Sequence, residues 1–327
     1  MSINIGTTHL EYGLMLAPMA GFSDRAMRLV AKEFGAEYTT TEMVSAKAIV
    51  YGDKKTVKLM KTEVDEGPCA VQIFGSEPDI MGEAAAFISA GVEGAVMPSA
   101  IDINMGCPVP KIFKNGEGSA LMRSPSLIEK IVASVKAKTH LPVTVKLRLG
   151  INANEINVLE CALAAEAGGA SLIVVHGRTR EALYSGNASF TEIKKVKSQL
   201  KIPVVANGDI KSAEAAKEVL CYTGADGIMI GRGAVGNPFI FEEIRASLSG
   251  KEYEKPSVNK IAETALRQLR YAIDDKGEGM AVREARGQIA VYFHSFRGAA
   301  AFRATVNRAT TYKEVESAVT ALLDNMK

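Results

Sequence analysis

Short apolar, β-branched runs alternate with amphipathic stretches along the first three-quarters of the chain. The runs fall at 14–17, 38–41, 70–74, 101–104, 143–146, 172–176, 204–207 and 227–230. Between them, apolar residues recur at helical spacing over 24–34, 78–90, 126–138, 156–167, 190–199 and 212–220. Ser23-Asp24 and Ser124-Pro125 supply N-terminal caps for two of these helices. Strand–helix repetition of this kind predicts a parallel sheet. Eight such units fit a closed (β/α)₈ TIM barrel, an α/β fold of about 250 residues. An open doubly wound sheet would carry a Gly-x-Gly-x-x-Gly turn after its first strand, but here the first run leads into Ala17-Pro18-Met19-Ala20-Gly21. After about Phe241 the strand signal stops. Residues 252–256 are polar and end in Pro256, which reads as a linker. Beyond it Ile261, Ala265, Leu266, Leu269 and Ile273 form one helical stripe. The expected organisation is a barrel over 1–250 followed by a small all-α helical domain over 256–327.

Composition narrows the class. Apolar residues make up 47% of the 327 positions and charged residues 23%, the balance of an ordinary globular protein. No apolar run is long enough to span a bilayer, and the start lacks a basic segment followed by an apolar core. A cytoplasmic protein without a membrane is expected. The four cysteines, Cys69, Cys107, Cys161 and Cys221, form no Cys-x-x-Cys pair, which argues against a zinc site, and no other metal is expected. Cys69, Cys161 and Cys221 sit in apolar text and read as core. The net charge of +2 does not by itself demand a polyanionic partner, and no protein partner is inferred.

In a barrel the C-terminal strand ends share one mouth. Here they present Ala17-Pro18-Met19, Glu42-Met43, Gln72, Asn104, Lys146, His176, Asn207-Gly208-Asp209 and Gly231-Arg232. Cys107, in Asn104-Met105-Gly106-Cys107-Pro108, lies on the loop just past a strand and is a candidate reactive thiol. Lys146 has three functional readings: Schiff-base nucleophile, phosphate binder, or cation beside a reduced flavin. The bland reading is a surface lysine. His176 is equally readable as a satisfied core group. The glycine clusters at 207–209 and 231–233 follow the seventh and eighth strands, where this fold commonly holds phosphate. One phosphate suits a mononucleotide such as FMN better than a dinucleotide.

These residues together resemble the tRNA-dihydrouridine synthase family, and within it the bacterial B-type subgroup. The resemblance rests on Leu16-Ala17-Pro18-Met19-Ala20-Gly21-Phe22-Ser23-Asp24, Val71-Gln72-Ile73-Phe74-Gly75 and Asp102-Ile103-Asn104-Met105-Gly106-Cys107-Pro108. It continues through Gly118-Ser119-Ala120-Leu121-Met122, Val145-Lys146-Leu147-Arg148, His176-Gly177-Arg178-Thr179-Arg180, Ala206-Asn207-Gly208-Asp209-Ile210 and 224–232. It implies reduction of a uracil ring in tRNA by FMN, with NADPH (or NADH) as electron donor. Hydride goes to C6 and Cys107 protonates C5. By motif position, FMN contacts fall on Ala17, Pro18, Met19, Gln72, Lys146, His176, Asn207, Gly208, Asp209, Gly231 and Arg232. Asn104 is expected beside the uracil or flavin, and His176 and Arg178 as donors to either. A thiol with a pKa of about 8.5 is mostly protonated at neutral pH and can serve as acid without a large shift. Residues 91–100 read as longer than is usual in the family, on the side of the barrel away from the mouth.

The tail carries Arg283, Arg286, Arg297, Arg303, Arg308 and Lys313 against one acid, Glu284, between Gly279 and Lys313. Such a run is commonly a solvated helix face. The resemblance makes it a tRNA-docking surface, with Arg283, Arg286 and Arg303 as contacts. Tyr292, Phe293 and Phe296, at helical spacing among the arginines, read as core. Two other readings stand beside this one. An FMN dehydrogenase of a free pyrimidine, similar to dihydroorotate dehydrogenase, would not need the basic tail. An RNA-binding protein with a vestigial flavin site would not need Cys107 and Lys146.

Overall fold

The eight apolar runs form parallel strands because their backbone groups pair with neighbours while both faces are covered. A computed structural model describes residues 2–325. Met1, Met326 and Lys327, which the boundaries 1–250 and 256–327 include, lie outside the described residues. A two-stranded antiparallel hairpin comes first, β1 (Ile3–Ile5) and β2 (Thr8–Leu10). The barrel strands follow: β3 (Leu14–Leu16), β4 (Thr39–Thr40), β5 (Val44–Ser45), β6 (Cys69–Phe74), β7 (Ala100–Asn104), β8 (Val143–Arg148), β9 (Leu172–His176), β10 (Val204–Asn207) and β11 (Gly227–Ile230). Their order is β3-β11-β10-β9-β8-β7-β6-β4, with β5 also on β6. A parallel bridge between Met15 and Tyr38 joins the two ends of that order and brings the sheet round on itself.

The helices alternate with these strands. They are α1 (Arg25–Glu33), α2 (Ala46–Val50), α3 (Lys54–Leu59), α4 (Pro78–Ser89), α5 (Pro110–Lys114), α6 (Pro125–Lys138), α7 (Val158–Ala167), α8 (Thr191–Gln199), α9 (Ala213–Thr223) and α10 (Ile240–Leu248). Asp24 caps α1 by accepting from the Met27 N–H at 3.0 Å. Ser124 stands at the start of α6 but its side chain caps no N–H of that helix. Cys69 and Cys161 are buried, whereas Cys221 is exposed on the outer face of α9. Val219 and Leu220, just before it, are buried instead.

Strand alternation sorts the core into two layers. Outward residues such as Val71, Ile103, Val145, Val175 and Ile228 pack under the helices. Low in the lumen Met15, Tyr38, Ala70, Ala100, Leu172, Val174, Val205 and Met229 pack with Ile3, Ile5 and Leu10 of the hairpin, which plugs that end. Higher in the lumen the inward positions turn polar. This switch confines hydrophilic chemistry to one end of the barrel.

Four helices close the chain: α11 (Val258–Lys276), α12 (Glu278–Tyr292), α13 (Ala299–Val306) and α14 (Tyr312–Asp324). Ala265 and Leu269 of the predicted stripe are buried, and Ile261, Leu266 and Ile273 pack at its margin. Their apolar cluster extends to Val30, Phe34 and Phe239 of the barrel side, with Phe34 and Phe239 edge to face at 4.4 Å. Polar ties reinforce this seam. Arg267 and the Tyr271 hydroxyl reach Glu33 at 2.8 and 2.7 Å, and Lys276 reaches Asp24 at 2.7 Å. Tyr292 and Phe293 are core residues, as their spacing suggested.

Candidate active site

At the polar end of the lumen the strand termini open into one cavity of about 700 Å³. Ala17, Pro18, Met19, Gln72, Asn104, Cys107, Lys146, His176, Asn207, Gly208, Asp209, Gly231 and Arg232 all line it. Thirteen positions separated by up to 215 residues thus converge, because each ends or follows a strand of the same barrel. Val291 of α12 also lines the cavity, so the helical tail forms part of its wall.

The lower wall is a set of amides and cations. Lys146 donates to the Asn207 side-chain oxygen at 3.2 Å, and Asn207 Nδ2 donates to the Met229 carbonyl at 2.7 Å. Burial, and after it the neighbouring Arg148, bring the Lys146 ammonium down to about 8 against the pull of Asp102. Among the described residues no ion pair joins Lys146 to a carboxylate. His176 is held far below its usual value by burial and then by the cations Lys146, Arg148, Arg178 and Arg232, so it is neutral at physiological pH. The wall therefore presents a part-buried positive charge that, among the described residues, makes no ion pair.

The opposite wall is the Cys107 loop. The Cys107 N–H donates to Asn104 Oδ1 at 2.8 Å, and the Gly106 N–H to the same atom at 3.1 Å. The Cys107 carbonyl accepts from the Ser119 hydroxyl at 2.8 Å and the Ser119 N–H at 3.2 Å. Gly118, at φ +60°, makes this approach possible: a Cβ there would lie 2.9 Å from Cys107 Cβ. Burial pushes the Cys107 thiol up, partly offset by a hydrogen bond from the Val109 backbone and by Arg148. With 7% exposure at the cavity edge, Cys107 is a protonated thiol at neutral pH.

Arg148 is assigned no role by the sequence beyond its place in a motif. It lies two residues past Lys146 on the same strand, so it shares the inward face. Its guanidinium donates to the carbonyls of Gly106, Thr179 and Leu183 at 2.9, 2.9 and 3.0 Å. Burial holds it down to about 10. Asp102 and Thr144 were likewise given no role, although the same period of two places them on the inward face of β7 and β8.

Three predicted substrate contacts already make hydrogen bonds within the protein. Arg178, expected beside the ligand, is 3% exposed and does not line the cavity. It donates to both oxygens of Asp209, at 2.9 and 2.7 Å, and to the Ser185 and Gly186 carbonyls. The strand has ended by Arg178, so the inward alternation of His176 no longer applies. Its work is to hold Asp209, whose carboxyl is drawn below its usual range despite burial by the Ala188 N–H and Arg178. Asn104 lines the cavity with its polar atoms already engaged, Oδ1 by the loop and Nδ2 on Gln72 Oε1 at 2.8 Å. Arg286 donates from Nε to the Ala309 carbonyl at 2.9 Å and ties α12 to the loop before α14. Arg283 and Arg303 are exposed on the tail.

Several known proteins resemble this chain along its length. A family model described as dihydrouridine synthase (Dus) matches residues 15–327. The tRNA-dihydrouridine synthase B of Vibrio cholerae is 39% identical over 325 residues, covering 99% of both chains. That of Shewanella oneidensis is 40% identical over 326 residues, again 99% of both. A probable tRNA-dihydrouridine synthase of Rickettsia conorii is 39% identical over 307 residues, 93% of this chain and 91% of its own.

Proposed function

The chain belongs to the dihydrouridine synthase family, and on that premise we propose that it reduces the 5,6 double bond of uridine in tRNA to 5,6-dihydrouridine. The observation that carries this reading is the pairing, across one cavity, of a part-buried ammonium that has no ion-pair partner with a protonated thiol.

The cavity fits FMN. Gly231 is at an inward position, and a Cβ there would project beside Met19 Sδ at 3.4 Å and Ala17 Cβ at 3.6 Å. Its absence leaves room at the floor of the cavity. Gly233 packs so close to the loop after β10 that a Cβ would meet the Ile210 carbonyl at 2.2 Å. The two glycine loops thereby form one surface of main chain, suited to a phosphate, with Arg232 at its rim. Ala17, Pro18, Met19, Gln72, Lys146, His176, Asn207, Gly208, Asp209, Gly231 and Arg232 are the proposed contacts. When bound and reduced by NADPH (or NADH), FMN supplies the hydride that the ring takes up at C6.

The chain's own residues do the rest. Lys146 offers the positive charge that a reduced, anionic ring system needs, in surroundings of low polarity where it acts strongly. Neutral His176 can donate one hydrogen bond but adds no further charge. Cys107 gives its thiol proton to C5 of the uracil, and the thiolate left behind is restored from solvent. Arg148, which already draws the Cys107 thiol downward, stabilises that thiolate. Asp209 is fixed by Arg178 so that the loop after β10 keeps its shape.

Residues 1–250 are the catalytic barrel in this reading, and 256–327 the tRNA-docking unit, with Arg283 and Arg303 as exposed phosphate contacts. No described helix is long and apolar enough to cross a membrane, and we place the enzyme in the cytoplasm with its tRNA. The test is mass spectrometry of tRNA from a strain lacking this protein. One dihydrouridine position should revert to uridine, and cofactor released from the purified protein by heat should chromatograph as FMN. Unaltered dihydrouridine at every position would refute the proposal.

A further inference from the structure

Asp102 is a carboxylate inside the barrel lumen, on the inward face of β7, and the catalytic reading leaves it without a task. It accepts from the Thr144 hydroxyl at 2.5 Å and from Gln72 Nε2 at 2.6 Å. Gln72 and Asn104 are amides, and each can present either its oxygen or its nitrogen to a neighbour. Burial raises the Asp102 carboxyl against the pull of Gln72, Thr144 and Lys146, but both of its oxygens accept here, so Gln72 turns its NH₂ toward it. The Gln72 oxygen then faces outward and accepts from Asn104 Nδ2 at 2.8 Å. Asn104 in turn must present its oxygen to the Gly106 and Cys107 N–H groups, at 3.1 and 2.8 Å. Reversing any one amide would set donor against donor along the line.

We propose that Asp102 is the positioning residue of Cys107, acting through the chain Thr144–Asp102–Gln72–Asn104 to fix the main chain that carries the thiol. This rests on the reading of Cys107 as the proton donor. Ser119 holds the far side of the same residue through the Cys107 carbonyl. Cys107 is thus clamped at both ends, and the clamp on its N–H is oriented by a buried carboxyl group two strand positions below Asn104.

The test begins with alkylation of Cys107 by iodoacetamide, followed by mass spectrometry in the flavin-loaded protein. Exposed Cys221 serves as the internal control, and buried Cys69 and Cys161 report unfolding. Asp102→Leu should speed Cys107 alkylation about tenfold, since one buried hydrogen-bond chain is broken, and leave the Cys221 rate alone. Asp102→Asn keeps an oxygen for Gln72 and an NH₂ that Thr144 can accept, so it should stay within about twofold of wild type. Should Asp102→Leu expose Cys69 and Cys161, Thr144→Val is the near-isosteric substitute, with an expected rise of about threefold. Equal acceleration in Asp102→Asn and Asp102→Leu, or none in Asp102→Leu and Thr144→Val, overturns the proposal. Single-turnover reoxidation by tRNA supplies a second arm. Asp102→Leu should slow it, and in a Cys107→Ala background should add no further loss, because the effect passes through Cys107. Losses that multiply overturn the positioning role. If Cys107→Ala alone reoxidises normally, it is the reading of Cys107 as acid that falls instead.

Discussion

Replacing Lys146 by Met should make the flavin-stripped protein more stable and at the same time weaken its hold on flavin. The fold lowers this lysine from 10.5 to about 8, chiefly by burial, so it disfavours the charged form. At about 1.4 kcal/mol per pH unit this amounts to a penalty of about 3 kcal/mol at pH 7. Methionine is of similar size and fills the same space, but the hydrogen bond to Asn207 is lost, at a cost of about 1 kcal/mol. The net gain is about 2 kcal/mol near neutral pH. The penalty is full below pH 8, where the lysine is charged in both folded and unfolded states. It shrinks as the folded-state group loses its proton above pH 8, and is gone above 10.5, where both states are neutral. The variant's advantage should therefore fall to about zero near pH 9.5 and reverse by about 1 kcal/mol above 10.5. Urea unfolding of stripped wild-type and Lys146→Met protein at pH 7 and 9.5 measures this directly. Fluorescence titration with FMN on the same samples should show weaker binding by the variant, and stopped-flow bleaching slower reduction by NADPH. A variant less stable than wild type at pH 7, or a difference that does not change with pH, would refute the account of Lys146 as a part-buried charge without an ion-pair partner.

Cys107→Ala should bind flavin and accept electrons from NADPH as wild type does, while anaerobic reoxidation by unmodified tRNA slows by about 10² to 10⁴. Cys107→Ser should rescue poorly, a hydroxyl being the weaker acid, and near-normal reoxidation in the Ala variant would remove the thiol from the mechanism. Arg283→Ala with Arg303→Ala should weaken tRNA binding in a filter assay and flatten its dependence on salt, with NADPH oxidation unchanged. Arg286→Ala should instead lower the melting temperature, because its guanidinium holds the Ala309 carbonyl; unchanged tRNA affinity in the first pair would leave those arginines a solvated face.

The barrel was legible in the chain because each strand is covered on both faces and most end abruptly in glycine or a polar residue. That change from β-branched text to Asn104, Lys146, His176 or Asn207 marks a mouth without any knowledge of the partners. The helical tail was legible from its stripe, in which Ala265 and Leu269 point inward. The hairpin at 3–10 was not, since strands of three residues carry too little alternation to stand out. Parity along β8 would have revealed Arg148, two positions beyond Lys146, but only once that strand was known to run past Lys146. Arg178, Arg286 and Cys221 show the limit of local text. A guanidinium between a carboxylate and two carbonyls, another on a distant loop, and a thiol on the outer face of a helix look alike in sequence to a ligand contact or a core residue. Each of the two guanidinium groups is held in part by a partner more than 20 residues away, Asp209 for Arg178 and Ala309 for Arg286. The same holds for Gln72 and Asn104. Their amides are symmetric in shape and opposite in polarity, and only a carboxylate brought alongside by the closing of the barrel decides which end faces Cys107.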